Sequence, residues 1–229
     1  MAGPEPPGAP RGRRGGGGET ERDPSAPVVK PPRYGRYVVV LALAILIGIT
    51  INTIATKPNG AGGVAAGERV PPFAVPLATG NLKGDANVST TGKAPACTVR
   101  GPRILNICQL YEHGPVVLAL FVDAGGCGNV LDDMQALAPS FPKVQMAAVA
   151  IRGDRGSVRS LLSSHGISFP VGIDDQGDLA ALYKIATCPQ VTFVERGGAA
   201  QGRALLGRPS RATLRSRLGE LEATARGSG

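Results

Sequence analysis

The sequence predicts a layered α/β domain in the C-terminal two thirds of the chain. Residues 116–122 form a wholly apolar run of seven, and residues 144–151 are nearly as apolar. Short continuous runs of this kind are typical of parallel strands that are buried on both faces. Between them, apolar residues recur at helical spacing at Val130, Leu131, Met134, Leu137 and Ala138. The alternation of buried strand and amphipathic helix indicates the α/β class.

The remaining elements follow in order. A second helix over residues 158–165 is predicted to end at Gly166, because glycine favours the left-handed C-cap. Asp178 is predicted to N-cap a short helix that runs through Tyr183. Residues 190–195 and 200–206 are predicted strands on either side of a Gly-Gly turn. A closing helix places three leucines on one face, namely Leu214, Leu218 and Leu221.

The N-terminal third has a different composition. Residues 1–36 are rich in Pro, Gly and Arg, which predicts a disordered basic tail. Residues 37–55 are a predicted transmembrane helix. The stretch 38–55 carries no charge, and at helical rise it spans about 27 Å, enough to cross a hydrocarbon core. Residues 56–67 are a predicted flexible tether, and residues 68–226 the folded domain.

A cleavable signal peptide is the alternative to an uncleaved anchor. It is disfavoured because 36 residues precede the apolar run and because residues 54–57 are a poor cleavage site. Lys30, Arg33 and Arg36 precede the span, whereas Lys57 is the one basic residue in the ten that follow. This asymmetry predicts a single-pass protein of the cell membrane, with its N-terminus cytoplasmic and its domain extracytoplasmic.

The net charge of +8 does not indicate a nucleic-acid-binding protein. The one local basic group, at Arg11, Arg13 and Arg14, lies in the Gly/Pro-rich tail, and no aromatic residues are interleaved with it. A base-stacking surface requires such aromatics. Attraction of the tail to an anionic membrane face is the better interpretation.

Two of the four cysteines, Cys97 and Cys108, flank the segment Arg100-Gly101-Pro102-Arg103. This segment is typical of a β-turn, and a turn between two short strands would let the cysteines face each other. A structural disulfide is favoured over a metal site, because the spacing lacks the histidines of zinc centres and the predicted compartment is oxidising. The sequence predicts no metal ion and no cofactor.

The chain resembles the thioredoxin-like superfamily over residues 68–225, in particular the membrane-anchored thiol-disulfide reductases of cytochrome c maturation and the wider redoxin group. The resemblance is carried by four stretches. The first is Val116 to Phe121, which leads to the turn Ala124-Gly125-Gly126-Cys127-Gly128-Asn129-Val130. The second and third, His165 to Val171 and Asp174 to Gly177, resemble the family's helix-to-strand connection. The fourth, Tyr183 to Pro189 followed by Gln190 to Val194, resembles the cis-proline segment and its strand. It implies a thioredoxin-like three-layer α/β/α sandwich and a site at the turn that holds Cys127.

The chain departs from the family at that turn. Cys127 takes the place of the first cysteine of the Cys-x-x-Cys motif, but Val130 takes the place of the second. The peroxiredoxin pattern fails too, because Leu120 and Ala124 stand where Pro and Thr are required. A copper-delivering relative needs two cysteines in this turn. The two histidines, His113 and His165, are interpreted as structural, so no Cys-His pair for acyl transfer is predicted.

The resemblance also implies the roles of Cys127, Cys188 and Pro189. Cys127 lies at a strand-to-helix junction, where unpaired amides stabilise a thiolate. Pro189 corresponds to the family's cis-proline, whose turn packs on the turn of the nucleophile. Cys188 directly precedes it, so Cys127 and Cys188 are expected to be neighbours and a candidate redox pair.

Two functions of different classes follow. The first is thiol-disulfide exchange with protein thiols and disulfides through a single nucleophile, Cys127, the mixed disulfide being resolved by Cys188 or an external thiol. Peroxide reduction through a sulfenic acid at Cys127 is a variant of it. The second is a catalytically inactive thioredoxin-fold module that binds a partner protein.

Overall fold

The computed structural model describes residues 34–55, 62–83 and 95–227. The chain divides into two compact units, Met1–Thr56 and Lys57–Gly229. Most of the predicted tail, residues 1–33, and half of the predicted tether, residues 56–61, lie outside the described residues.

The first unit contains helix α1, Gly35–Ala55, which coincides with the predicted span 37–55. Its described side chains include those of residues 37–49, all exposed. Across the residues that the structure describes, no helix combines the length and the apolarity needed to cross a membrane.

The second unit is built on a five-stranded mixed sheet of order β5-β4-β3-β6-β7. Its strands are β3 (Val116–Phe121), β4 (Gln145–Ile151), β5 (Val171–Asp174), β6 (Gln190–Val194) and β7 (Leu205–Leu206). The first three are parallel, whereas β6 and β7 are antiparallel to their neighbours. The two apolar runs therefore form adjacent central strands, each within one residue of its predicted bounds.

Helices cover both faces of the sheet and give the predicted three layers. They are α2 (Ile107–His113), α3 (Val130–Leu137), α4 (Arg155–Ser164), α5 (Asp178–Leu182) and α6 (Arg211–Gly227). Because successive strand residues point to opposite faces, β3 serves two cores. Its residues 117, 119 and 121 pack with α3, α4 and α6, and its residues 116, 118 and 120 pack with α2 and α5. Burial of β3 on both faces explains why its sequence is apolar without alternation.

A short antiparallel pair, β1 (Ala74–Pro76) with β2 (Ile104–Asn106), lies beside this sheet. Leu77 makes an isolated bridge to Gly172 of the edge strand β5. A Cβ atom at Gly172 would overlap the side chain of Val75, so glycine is required for this close approach. The sequence predicts neither β1 nor β5, because three or four residues give too little pattern for a strand.

The predicted hairpin between Cys97 and Cys108 is right in its turn and in the start of its second strand, β2, and wrong in the positions of both cysteines. Cys97 lies in a single 3₁₀ turn, Ala96–Thr98, and Cys108 lies in helix α2. The physical reason is the side chain of Asn106. Its oxygen accepts hydrogen bonds from the amides of Cys108 and Gln109 and so caps α2, and its Nδ2 donates to the carbonyls of Ala96 and Val99 at 2.8 Å. Capping of this kind ends the second strand at Asn106 and starts α2 before Cys108 is reached.

Across the same loop, Arg100 forms a two-pronged ion pair with Glu112 at 2.8 and 2.6 Å. The hydrogen bonds from this guanidinium hold the pKa of Glu112 below its ordinary value. Both side chains are largely exposed, so the pair orients the loop more than it stabilises the fold.

The predicted strand over residues 200–206 is also wrong in most of its length. Only Leu205–Leu206 is a strand, and Ala200 makes one isolated bridge to Val194. Between them, Gly202 has a left-handed φ of 66°, and the Gln201 carbonyl accepts a hydrogen bond from Arg217 at 2.7 Å. The side chain of Arg217 in α6 thus bonds to a carbonyl that would otherwise pair with a neighbouring strand.

The cap of α5 differs from the prediction as well. The helix begins at Asp178, and the buried carboxylate of Asp174 provides the cap. Asp174 accepts hydrogen bonds from the amides of Gly177, Asp178 and Leu179 at 2.9, 3.2 and 2.8 Å. The predicted end of α4 is confirmed, since His165 is its C-cap and Gly166 has a φ of 61°.

The two aspartates provide a matched test of this cap. Asp174→Ala is expected to lower the free energy of unfolding by at least about 3 kcal/mol, because two buried amides and one partly buried amide lose their acceptor. Asp178→Ala, at an exposed position, is expected to cost less than about 1 kcal/mol. Urea denaturation of both variants measures the difference, and equal losses would show that Asp174 is not the cap.

Candidate functional site

Cys127 is positioned by the loop that leaves β3 at its carboxyl end. Gly125 and Gly126 both have left-handed φ angles, 59° and 75°, which glycine adopts without strain. They turn the chain into the 3₁₀ turn Cys127–Asn129, which continues directly into α3. The Cys127 amide donates to the Ala124 carbonyl at 3.1 Å. The residue is half-buried, and residues 124–126 beside it are exposed.

The two residues that follow Cys127 at positions 128 and 130 are buried against the rest of the domain. Gly128 is buried, and a Cβ atom there would lie 2.8 Å from Leu161 Cδ1, so α4 packs directly on the turn. Val130, at the position of the family's second cysteine, is fully buried in the core that faces α3 and α6. A valine here adds apolar contact, and it excludes a dithiol within the turn.

Cys188 and Pro189 lie in the segment that precedes β6, the antiparallel neighbour of β3. Strand β6 begins at Gln190, which pairs with Leu120, and the Cys188–Pro189 peptide bond is cis. Pro189 is buried and Cys188 half-buried. This chain segment therefore meets the carboxyl end of β3 at the same place as the loop of Cys127.

The structure brings Cys127 and Cys188 together across 61 residues of sequence as a disulfide, with a Cα–Cα distance of 5.6 Å. The Val122 amide donates a hydrogen bond to the Cys188 sulfur at 3.2 Å. Cys127, Cys188 and Pro189 thus lie at one site. The contribution of Val122 carries no sequence signature, because it comes from a backbone amide.

Charged groups near the start of α3 are already paired. Asp132 Oδ1 lies 2.7 Å from His165 Nδ1, and Asp133 Oδ1 lies 2.8 Å from Arg211 Nε. The other histidine, His113, places its Nδ1 2.6 Å from the Gln109 carbonyl. Both imidazoles are therefore engaged away from the cysteines. In the part of the chain that the structure describes, neither makes a hydrogen bond to Cys127.

The second cysteine pair is separate from this site. Cys97 and Cys108 form a disulfide with a Cα–Cα distance of 5.3 Å that joins the 3₁₀ turn to α2. Cys108 is fully buried, and the hydroxyl of Tyr111 lies 3.9 Å from the Cys97 sulfur. Within the described ranges, no group of three or more His, Cys, Asp or Glu side chains is placed to hold a metal ion.

Comparison with known proteins gives matches in structure alone, since no protein-family model and no curated protein matches the sequence. A thiol:disulfide interchange protein of the thioredoxin family from Chlorobium tepidum is 12% identical, with a TM-score of 0.50 over 69% of this chain and 98% of that one. The thioredoxin domain of a thiol-disulfide oxidoreductase from Bacteroides vulgatus is 10% identical, with a TM-score of 0.50 over 68% and 99%. An uncharacterized conserved protein from Geobacillus kaustophilus is 16% identical, with a TM-score of 0.53 over 68% and 81%.

Identities this low establish the fold and leave the activity open. The matched region takes in most of the C-terminal unit and nearly the full length of two of these proteins. The mixed sheet and the cis-proline before β6 agree with the fold that the sequence resemblance implies. The folded domain of this chain has a mixed α/β, thioredoxin-like fold.

Proposed function

We propose that this protein is a thiol-disulfide oxidoreductase whose redox centre is the pair Cys127 and Cys188. The observation that carries the proposal is the Cα–Cα distance of 5.6 Å between a residue that precedes α3 and a residue that precedes β6. Disulfides require Cα atoms between about 4.4 and 6.8 Å apart. Cys188 therefore supplies the second thiol that the turn of Cys127 lacks.

This pairing changes the predicted single-cysteine mechanism to a two-cysteine one. A substrate thiolate attacks one sulfur of the disulfide, forms a mixed disulfide and releases the other cysteine as a thiolate. A second substrate thiolate then attacks the mixed disulfide, which yields substrate disulfide and reduced protein. Two electrons pass from substrate to protein, and the reverse sequence reduces a substrate disulfide.

Protein thiols and disulfides are the proposed substrates. Ala124, Gly125 and Gly126 are exposed on one side of the cysteine pair, and residues 186 and 187 are exposed on the other. Small exposed residues leave the half-buried sulfurs open to a chain segment of another protein. The Chlorobium tepidum and Bacteroides vulgatus proteins, which carry thiol-disulfide names, lend this proposal support by analogy of fold.

We further propose that residues 37–55 anchor the protein in the cell membrane, with the domain outside the cytoplasm. The support is the uncharged run 38–55 and the excess of Lys and Arg before it. Two cysteine pairs within one domain also suit an oxidising compartment.

The catalytic proposal predicts that the purified full-length chain accelerates the reduction of insulin by dithiothreitol. Cys127→Ser is expected to bring the rate close to that of dithiothreitol alone, because the Cys127–Cys188 disulfide cannot form and the mixed disulfide at Cys127 is lost. Cys188→Ser is expected to slow turnover and to accumulate mixed disulfides at Cys127. Turbidity and non-reducing gels measure the two effects.

The matched control is the double variant Cys97→Ser/Cys108→Ser. It removes a disulfide of the same domain and is expected to keep the insulin activity while lowering the melting temperature. If the wild-type chain does not exceed the rate of dithiothreitol alone, the proposal is wrong and an inactive binding module is the better account.

The anchor is tested on intact spheroplasts that express the chain with a tag at each end. Added protease is expected to digest the domain from Glu68 onward and to spare the N-terminal tag, because the positive flank stays cytoplasmic. A domain protected until the membrane is permeabilised would contradict the proposed orientation. Release of the intact chain by carbonate washing would contradict the anchor itself.

A further inference from the structure

We infer that a cleft at one end of the folded domain binds a single-chain amphipathic anion, for example a fatty carboxylate. The cleft consists of two cavities, of about 450 and 350 Å³, and each falls within the size range of small-molecule sites. We name the cavities by what their walls share, positive charge or apolar side chains. The cationic cavity includes Lys143, Arg196 and Arg226, and the apolar cavity includes Ile104, Leu105 and Leu110.

The two cavities adjoin near the amino end of β3. His113 and Gln145 line both of them, and Pro115, which precedes β3, lines the cationic cavity. Cys127 follows the carboxyl end of the same strand, and a strand of this length separates the two ends by about 20 Å. The cleft is therefore distinct from the cysteine pair, and the inference does not depend on the proposed function.

Carboxylates do not balance the positive charge of the cationic cavity. Its wall, as the described residues form it, contains one acidic residue, Glu222, which lies 2.8 Å from Arg226 Nη2 and is 14% exposed. Lys143 and Arg196 form no ion pair with any described residue. Three cations and one carboxylate leave a surplus of positive charge, and a cleft lined mainly by one sign of charge concentrates ions of the opposite sign.

Hydrogen bonds within the protein engage the carbonyl groups that would otherwise repel an anion. Helix α2 ends beside the cationic cavity, and the last carbonyls of a helix carry partial negative charge. The Gln109 carbonyl lies 2.6 Å from His113 Nδ1. The Leu110 carbonyl accepts a hydrogen bond from Gln145 Nε2 at 2.6 Å, and the His113 carbonyl accepts one from Arg196 Nη2 at 3.0 Å. Positive side chains, and not bare carbonyls, are therefore the polar groups that a ligand meets here.

The apolar cavity is suited to the chain of the ligand. Leu105 is buried, Ile104 and Leu110 are half-buried, and Pro102 and Pro170 are exposed. As far as the described residues form this wall, it contains no Asp, Glu, Lys or Arg. Transfer of an apolar chain from water to such a wall is favourable, and a few polar groups then fix its orientation. The adjoining cavities thus match a negative head group with one apolar chain that the protein, and not a bilayer, encloses.

The test uses the full-length chain and decanoate that carries a diazirine near the end of its chain. After irradiation and digestion, mass spectrometry is expected to find the label within residues 101–110, which contribute to the apolar cavity. Unlabelled decanoate is expected to compete, and each methylene between butanoate and decanoate to improve competition by up to about fourfold. Decanol, which lacks the charge, is expected to compete weakly. Equal competition by decanol, or label on no peptide of the cleft, would overturn the inference.

Matched variants separate the charge of the cleft from that of the whole domain. Lys143→Gln/Arg196→Gln is expected to reduce the labelling at least about tenfold, because two charge-assisted contacts to the head group are lost. Arg208→Gln/Arg215→Gln removes two exposed charges outside the cleft and is expected to leave labelling unchanged. Circular dichroism checks that both variants are folded. Equal labelling of the two variants would overturn the inference. Competition by phosphatidylglycerol vesicles but not by decanoate would also overturn it, in favour of a membrane contact.

Discussion

The antiparallel register between β3 and β6 is the constraint on which the site depends. It pairs Val116 with Val194 and Leu120 with Gln190, so the end of β3 and the beginning of β6 lie side by side. From there the β3 chain turns through two left-handed glycines to Cys127, and Cys188 directly precedes the cis-proline. A shift by one residue would reverse every side chain of one strand and would separate the Val122 amide from the Cys188 sulfur. The redox pair is thus a consequence of strand pairing, although its members are 61 residues apart.

Packing on both faces makes this register rigid. The β3 side chains alternate between two cores, and Leu161 of α4 contacts the turn of Cys127 at Gly128. Two arginines of α4 hold the segment that follows β1. Arg155 donates to the carbonyls of Leu77, Gly80 and Leu82, and Arg159 donates to that of Ala78 at 2.7 Å. Partly buried carbonyls of this segment are thereby paired with charged donors.

Much of the fold was predictable from the sequence, because its central strands are continuous apolar runs and α3 and α6 have clear helical periodicity. Strands β1 and β5 were not predicted, since three or four residues give too little pattern to distinguish a strand from a loop. Strand β2 overlaps the second strand of the predicted hairpin. The errors at Cys97–Cys108 and at Asp178 have one cause. In both places a polar side chain sets the start of a helix. Asn106 is the N-cap of α2, and Asp174 accepts from the first amides of α5 although it lies three residues before the N-cap position.

The site was predictable only through the resemblance to a family, because the spacing of Cys127 and Cys188 carries no motif.

The most direct test of the account is the redox state of all four cysteines. The full-length chain is equilibrated in glutathione buffers of increasing oxidising power, trapped with acid and mapped by mass spectrometry. The account predicts that Cys127 and Cys188 convert together from two thiols to one disulfide, while Cys97 and Cys108 remain linked to each other. Independent oxidation of Cys127 and Cys188, or pairing of either with Cys97 or Cys108, would contradict it.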